Sequence, residues 1–456
     1  MRIEKDALGA VEIPDDVAWG PQTERSRHNF PTGPLMPAEV IRALLTIKAA
    51  AATVNMNHGL DKPVGRAIIT AADHLQALPD DQLMADFPLH VYQTGSGTQT
   101  NMNVNEVLTH LASSALGRPV LPNDDVNRGQ SSNDTFPTAL HMAAYPAVTK
   151  VCQSAEAMIA TLKEKETAYA NVVKLGRTHL QDATPLTFGQ EVSGWRATLE
   201  GDVATLRQLQ PQLLTLALGG TAVGTGLNTT SQQTAAMVAQ IAKLTGLPFK
   251  EMPNKFHGLA FHSELTAIHG ALKTLAADLM KIANDIRFLA SGPRGGYGEL
   301  TIPANEPGSS IMPGKVNPTQ AEALTMIATR VMGNDTTIAV AESQGNFELN
   351  VYKPVIGATV LESCTLLAGG ITQLDRLLLQ GLTVNQGRMR DLVDRSLMLV
   401  TALSPHIGYA QAAKLAQTAQ KNGQSLREAA IASGAVTAEQ YDAWVDPLKM
   451  TNQAQK

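Results

Sequence analysis

Residues 308–322 read GSSIMPGKVNPTQAE. Within them Ser309, Lys315, Asn317 and Glu322 are the side chains able to move a proton or hold an anion. A serine hydroxyl is a poor base until positive surroundings lower its pKa. Lys315 and the N-terminus of a following helix supply such surroundings. Lys315 and Asn317 together offer a fixed cation and an amide donor. Glu322, about one turn into that helix, can orient a histidine from elsewhere. Gly308, Pro313, Gly314 and Pro318 give sharp turns and mobility without continuing a helix. The segment therefore reads as a mobile lid that carries chemistry.

Three more segments break the apolar pattern. TGSGTQTNMNVNEV (94–107) is rich in hydroxyls and amides and leads into a helix expected to begin near Asn103. Its glycines let backbone approach a ligand, and free N–H groups at a helix start bind anions. RGQSSNDTFPTAL (128–140) sets Ser131, Ser132, Asn133 and Asp134 at another helix start, as an anion site or a capping box. KLGRTHLQDATPLTFGQE (174–191) clusters Arg177, Thr178, His179, Gln181 and Asp182 before a Pro-containing turn. There is no H-E-x-x-H, no cysteine cluster and no G-x-x-x-x-G-K-[ST], so no metal framework and no cofactor is expected. His257 and His262 read as local hydrogen-bonding residues.

Long helices must position these segments. Leu265, Ile268, Leu272, Leu275, Leu279, Ile282, Ile286 and Leu289 keep a 3,4 spacing for more than three heptads. A second seam runs Val360, Cys364, Leu367, Ile371, Leu374, Leu378. A third runs Trp195, Leu199, Val203, Leu206, Leu209, Leu213, and weaker ones lie near 138–165 and 319–343. The fold class is mainly all-α, with a central five-helix bundle crossing at about 20°. Residues 1–130 read as a mostly helical N-terminal domain, 131–385 as the bundle, and 386–456 as a small C-terminal domain with two short helices joined at Gly434. Ala277, Ala283, Ala321, Ala323 and Ala328 would let further helices approach, so a homo-oligomer with a shared helical core is expected.

The 456 residues are 44% hydrophobic and only 4% aromatic, which suits close-packed helices. The net charge of −5 without a long basic run gives no reason to expect nucleic acid or an anionic membrane. No run of about 18 apolar residues is seen, so no membrane span is expected. MRIEKDALGAVEIPDD lacks the apolar stretch of a signal peptide. Cys152 and Cys364 lie in apolar helical patterns and are expected as free buried thiols of a cytoplasmic protein.

GSSIMPGKVNP resembles the signature loop of the fumarase/aspartase superfamily, and the likeness spans nearly the whole chain. GSGTQTNMN, QSSNDTFPTA, GRTHLQDATPLT and GGTAVGTGLN (219–228) look most like class II fumarate hydratases. The resemblance implies reversible hydration of fumarate to L-malate in the tricarboxylic acid cycle, without metal or cofactor. Ser309 would remove the C3 proton of malate. His179, paired with Glu322, would handle the water and the departing hydroxyl. Lys315 and Asn317 would bind the carboxylate that becomes an aci-carboxylate. Ser96, Thr98, Ser131, Ser132, Asn133 and Thr178 would hold the dicarboxylate. The family is a homotetramer whose sites are each built from three chains.

Two departures stand out. The family often carries histidine before PNDDVN, where this chain has Leu121, which puts an accessory anion site at Asn123 and Asp124 in question. NKFHGL replaces the common NKFEAL, so His257 stands in for an acid. The alternatives are an aspartate ammonia-lyase of the same superfamily, against which His179 argues, and a non-catalytic helical scaffold, against which the intact Ser309, Lys315, His179 and Glu322 argue.

Overall fold

The computed structural model describes residues 1–452 and is mostly helical. An antiparallel hairpin of β1 (Arg2–Asp6) and β2 (Gly9–Ile13) opens the chain. Helix α1 (Ala38–Asn55) and helix α2 (Thr98–Leu116) follow. Five long helices then dominate: α3 (Ser132–Ala168), α4 (Phe188–Leu209), α5 (Ser263–Leu289), α6 (Thr319–Glu342) and α7 (Lys353–Leu374). Between α3 and α4 the chain forms a second antiparallel hairpin, β3 (Val173–Thr178) and β4 (Gln181–Thr187). Near the C-terminus α8 (Leu426–Ala432) and α9 (Ala438–Trp444) flank Gly434, whose φ of +70° makes the expected break.

The heptad reading holds at side-chain level. All eight seam residues of α5 are buried, none more than 5% exposed. Each such leucine or isoleucine contributes roughly 1.5–3 kcal/mol relative to an exposed one, so the seam rather than helix propensity fixes α5. The seam on α4 is shorter than its pattern. The helix ends at Leu209 and Leu213 lies in the tight turn Gln210–Leu214, though still fully buried. Pro211 explains the change, because it has no N–H to donate and disfavours helical backbone at the residue before it. Ala283, Ala321 and Ala328 are fully buried in the single chain, whereas Ala277 is exposed and Ala323 half-buried. Most of the small residues expected to admit another subunit therefore serve the chain's own core.

One helical stretch bears on the expectation of no membrane span. The helical stretch Lys353–Leu379 is long and apolar enough to cross a membrane, with a mean hydropathy of 1.5. Its seam from Val360 to Leu378 is buried against protein, as in the core helix of a bundle. Cys152 and Cys364 are free and buried. Burial, with the neighbouring Cys152, pushes the Cys364 thiol up to about 12, so it stays protonated and unreactive.

The chain divides into two compact units. One comprises residues 1–152, 204–274 and 329–367, and the other 153–203, 275–328 and 368–456. The second unit has its own core around Leu175, Val393, Leu399, Leu403, Leu415, Leu426, Tyr441 and Val445. Leu175 belongs to β3, so the stem of the second hairpin is embedded among the C-terminal helices.

Candidate active site

In the first unit, α2 begins at Thr98 rather than near Asn103. The start is earlier because Gly97, at φ +75°, turns the chain directly into the helix. The Ser96 and Thr98 hydroxyls are hydrogen-bonded at 2.7 Å. The Asn101 amide donates to Ser132 Oγ at 2.9 Å, which ties this segment to the start of α3. There Ser131 caps the helix without using its O–H donor: Asp134 accepts from its N–H at 2.9 Å, and its Oγ accepts from the Asn133 N–H at 3.2 Å. Asp134 also accepts from the Gly219 and Thr221 N–H groups, and Asn133 donates to the Ala222 carbonyl at 2.8 Å. GGTAVGTGLN is thereby fastened to QSSND. Burial raises the Asp134 pKa, and these N–H donors oppose the rise.

Sequence reasoning missed the group beneath these segments. Lys48 on α1 is fully buried. Its ammonium donates to Asn127 Oδ1 at 2.9 Å and Gln130 Oε1 at 3.0 Å. Asn127 Oδ1 also accepts from Asn101 and Asn105, each at 3.2 Å. Burial pulls Lys48 down to about 7, with the Asp134 charge acting in the opposite direction. A lysine in the run TIKAAAATVN looks like an amphipathic edge position, so only the fold discloses it. Asn123 and Asp124, in the short helical turn Pro122–Val126, are exposed, as is Leu121.

The second unit holds the other half of the expected residues. The 308–317 loop is closed at its base rather than free. The Gly308 N–H donates to the Lys315 carbonyl at 3.0 Å, and Asn317 Nδ2 donates to the Gly308 carbonyl at 2.6 Å. A Cβ on Gly308 would lie 2.3 Å from the Lys315 oxygen, so only glycine fits this closure. Inside the loop Ser309 Oγ accepts from the N–H groups of Ile311 at 3.2 Å and Met312 at 3.0 Å. Two aligned N–H donors favour an alkoxide over the neutral hydroxyl. Among the described residues, the Lys315 ammonium and the His179 ring make no hydrogen bond or ion pair. Glu322 lies 4.0 Å from Arg287, and no hydrogen bond or ion pair within the chain joins it to His179.

Thr178 and His179 lie at the tip of the β3–β4 hairpin. The expected Pro-containing turn is instead a two-residue turn at His179–Leu180, with Pro185 inside β4 paired to Leu175. His179 and Leu180 have φ of +58° and +60°, the signs of a type I′ turn. Such turns favour Asn and Gly. A non-glycine residue in this region costs about 1–2 kcal/mol. Backbone strain thus sits on the histidine read as the acid–base group. His257 bonds Glu264 at 2.9 Å as a local partner. His262 is buried, and its Nε2 has no partner among the described residues. No group of three or more His, Cys, Asp or Glu side chains among the described residues is arranged to hold a metal ion.

Long helices broken by polar loops, with a half-buried serine beside an exposed lysine in one loop and an exposed histidine at a hairpin tip, suit proton transfer on a small anion. The family model described as "Lyase" matches residues 9–333, and "Fumarase C C-terminus" matches residues 399–452, so the chain is a lyase. It is 54% identical over 460 residues to "Fumarate hydratase class II" of Myxococcus xanthus, covering 99% of this chain and 98% of that one. It is 54% identical over 455 residues to the protein of the same name from Listeria monocytogenes, covering 99% of each. The crystal structure of a class II fumarase from Schistosoma mansoni superposes with a TM-score of 0.95 at 42% identity, covering 99% of both chains. The chain belongs to the class II fumarate hydratase family.

Proposed function

We infer that this chain catalyses the reversible hydration of fumarate to L-malate. The observation that carries the reading is full-length identity of 54% to class II fumarate hydratases. Following the loss of fumarate absorbance tests it: fumarate should fall and malate appear, and aspartate should release no ammonia. Ammonia from aspartate would favour the ammonia-lyase alternative, and inertness toward both would favour the scaffold.

The residue roles are part of this proposal. The C3 proton of malate is weakly acidic, because its removal puts a second negative charge on the adjacent carboxylate. Ser309 takes that proton, supported by the Ile311 and Met312 N–H groups. Lys315 and Asn317 hold the resulting aci-carboxylate. Asn317 has a second N–H beyond the one bonded to Gly308. Donors placed where charge develops contribute roughly 3–4 kcal/mol each in comparable sites. The C2–O bond then breaks, and His179 delivers a proton to the departing hydroxyl, leaving water and fumarate. Ser96, Thr98, Ser131, Ser132, Asn133 and Thr178 hold the dicarboxylate, with Asn123 and Asp124 as an accessory anion site.

The assembly proposed is a cytoplasmic homotetramer with each site drawn from three chains. Its support lies in what the isolated chain leaves exposed: Phe288 on α5, Met326 and Val340 on α6, and Ile311, Met312 and Val316 beside Ser309. Large apolar side chains left exposed in this way support a partner covering them. It is also supported by His179, whose ring has no partner within the chain, and by the lack of a His179–Glu322 pair, which other chains would supply. Residues 1–130, 131–385 and 386–456 are proposed as the three domains of each subunit.

A further inference from the structure

We propose that Glu299 is a positioning residue for His179, clamping the stem of the β3–β4 hairpin so that its left-handed tip is held in place. The proposal rests on the reading of His179 as the acid–base group. The tip does not impose its own geometry. Neither His179 nor Leu180 favours positive φ, and in the single chain the Leu180 side chain is 64% exposed, so no packing within the chain holds the turn. Within the chain the constraint comes from the stem. There Glu299 is fully buried, and its Oε1 accepts from Arg177 Nη2 at 2.7 Å. Its other oxygen lies 3.3 Å from the Lys174 ammonium, which also pairs with Glu191 at 2.8 Å. Lys174 and Arg177 are both on β3, and Arg177 is two residues from His179. One carboxylate thus grips β3 at two points.

Glu299 is itself fixed. Its N–H donates to the Leu289 carbonyl at 2.9 Å, and its carbonyl accepts from the Asn385 N–H at 2.8 Å. The Arg177 guanidinium stacks over the Tyr297 ring at 4.4 Å, and Arg388 donates to the Tyr297 carbonyl at 2.9 Å. The hairpin pairing shifts register between Leu175 and Arg177, with Gly176 so close that a Cβ would lie 2.3 Å from the Thr184 oxygen. A bulge at this place sets how the tip is aimed. A buried charge cluster spanning the bulge is therefore where the aim is fixed. A buried carboxylate with two cationic partners also serves stability, so the test needs a readout that stability alone would not move.

That readout is the coupling between the clamp and the strain. Glu299→Gln should lower kcat by about 10–100-fold with KM for fumarate changed less than about twofold, as expected for a group that aligns the acid–base residue without touching substrate. Leu180→Gly alone, which makes the turn comfortable without the clamp, should leave kcat within about twofold. In the Leu180→Gly background, Glu299→Gln should cost less than about a third of the fold-loss it costs alone, since the two changes act on one element. Equal losses in both backgrounds, or full kcat in folded Glu299→Gln, would overturn the proposal. If Glu299→Gln does not fold, Arg177→Lys takes its place, with the same kcat loss and the same relief expected, and their absence equally decisive. His179→Asn is assayed alongside. If it is active, the acid–base reading fails; if it is inactive while both clamp variants are normal, only the positioning role fails.

Discussion

At the scale of single residues, the proposal makes His179 the most exposed to test. His179→Asn should lower turnover by about 10²–10⁴-fold, the usual scale for a general acid–base group, while substrate binding weakens far less. Steady-state kcat and KM separate the two, and near-normal turnover would remove His179 from the mechanism. Much of the candidate site was legible here because catalytic residue types stand out in loops: Ser309, Lys315, Asn317 and His179 all sit outside apolar seams. Their supports were not legible. Lys48 looks like an edge residue of a helix, and Glu299 is a single acid in a glycine-rich run. Both acquire meaning only because folding buries them beside residues far away in sequence. The closure of the 308–317 loop was also hidden, since glycine and proline signal a turn but not the backbone bonds that fasten it.

Among the elements, long helices were readable because one buried stripe per helix imposes a 3,4 spacing. Hairpins and helix ends were not, since a two-residue turn occupied by His and Leu carries no turn signature. Polar ties between helices were hidden for the same reason as Lys48. His269 on α5 bonds Asp335 of α6 at 3.1 Å and Ser363 of α7 at 2.8 Å, fully buried. Burial lowers its pKa, with Asp335 opposing. The folded state thus keeps His269 neutral, while the unfolded chain takes up a proton below about 6.5, so stability falls as pH drops from there toward the lowered value. His269→Gln should lower the unfolding midpoint at pH 8, each lost bond being worth about 0.5–1.5 kcal/mol, yet flatten its fall between pH 7 and 5. An unchanged slope would contradict this. Asp202 on α4 works in the opposite direction. Burial first, then the charge of Asp278 on α5 and a hydrogen bond with it, raise Asp202 to about 7. The folded state therefore holds a proton that the unfolded chain loses near 3.8, and stability declines as pH rises to about 7, with the penalty complete above it. Asp202→Asn should raise the unfolding midpoint most at pH 8 and least at pH 5. A uniform gain would show that the buried charge is not the cause.

For the whole molecule, the single chain holds Ser96, Thr98, Ser131, Ser132 and Asn133 in one unit, and Thr178, His179, Ser309, Lys315, Asn317 and Glu322 in the other. His179 and Glu322 are unpaired with each other, and the loop beside Ser309 exposes Ile311 at 83%. In the proposed assembly the sites are completed by different chains. Complementation measures this most directly. Ser309→Ala and His179→Asn would be unfolded together, mixed in equal amounts and refolded, with hybrid formation checked by differential tagging. Each site needs one intact Ser309 loop and one intact His179 hairpin. If these come from different subunits of a closed symmetric oligomer, random mixing should restore about a quarter of wild-type activity. Hybrids that form yet remain as inactive as the parent variants would contradict the shared site and leave each chain to build its own.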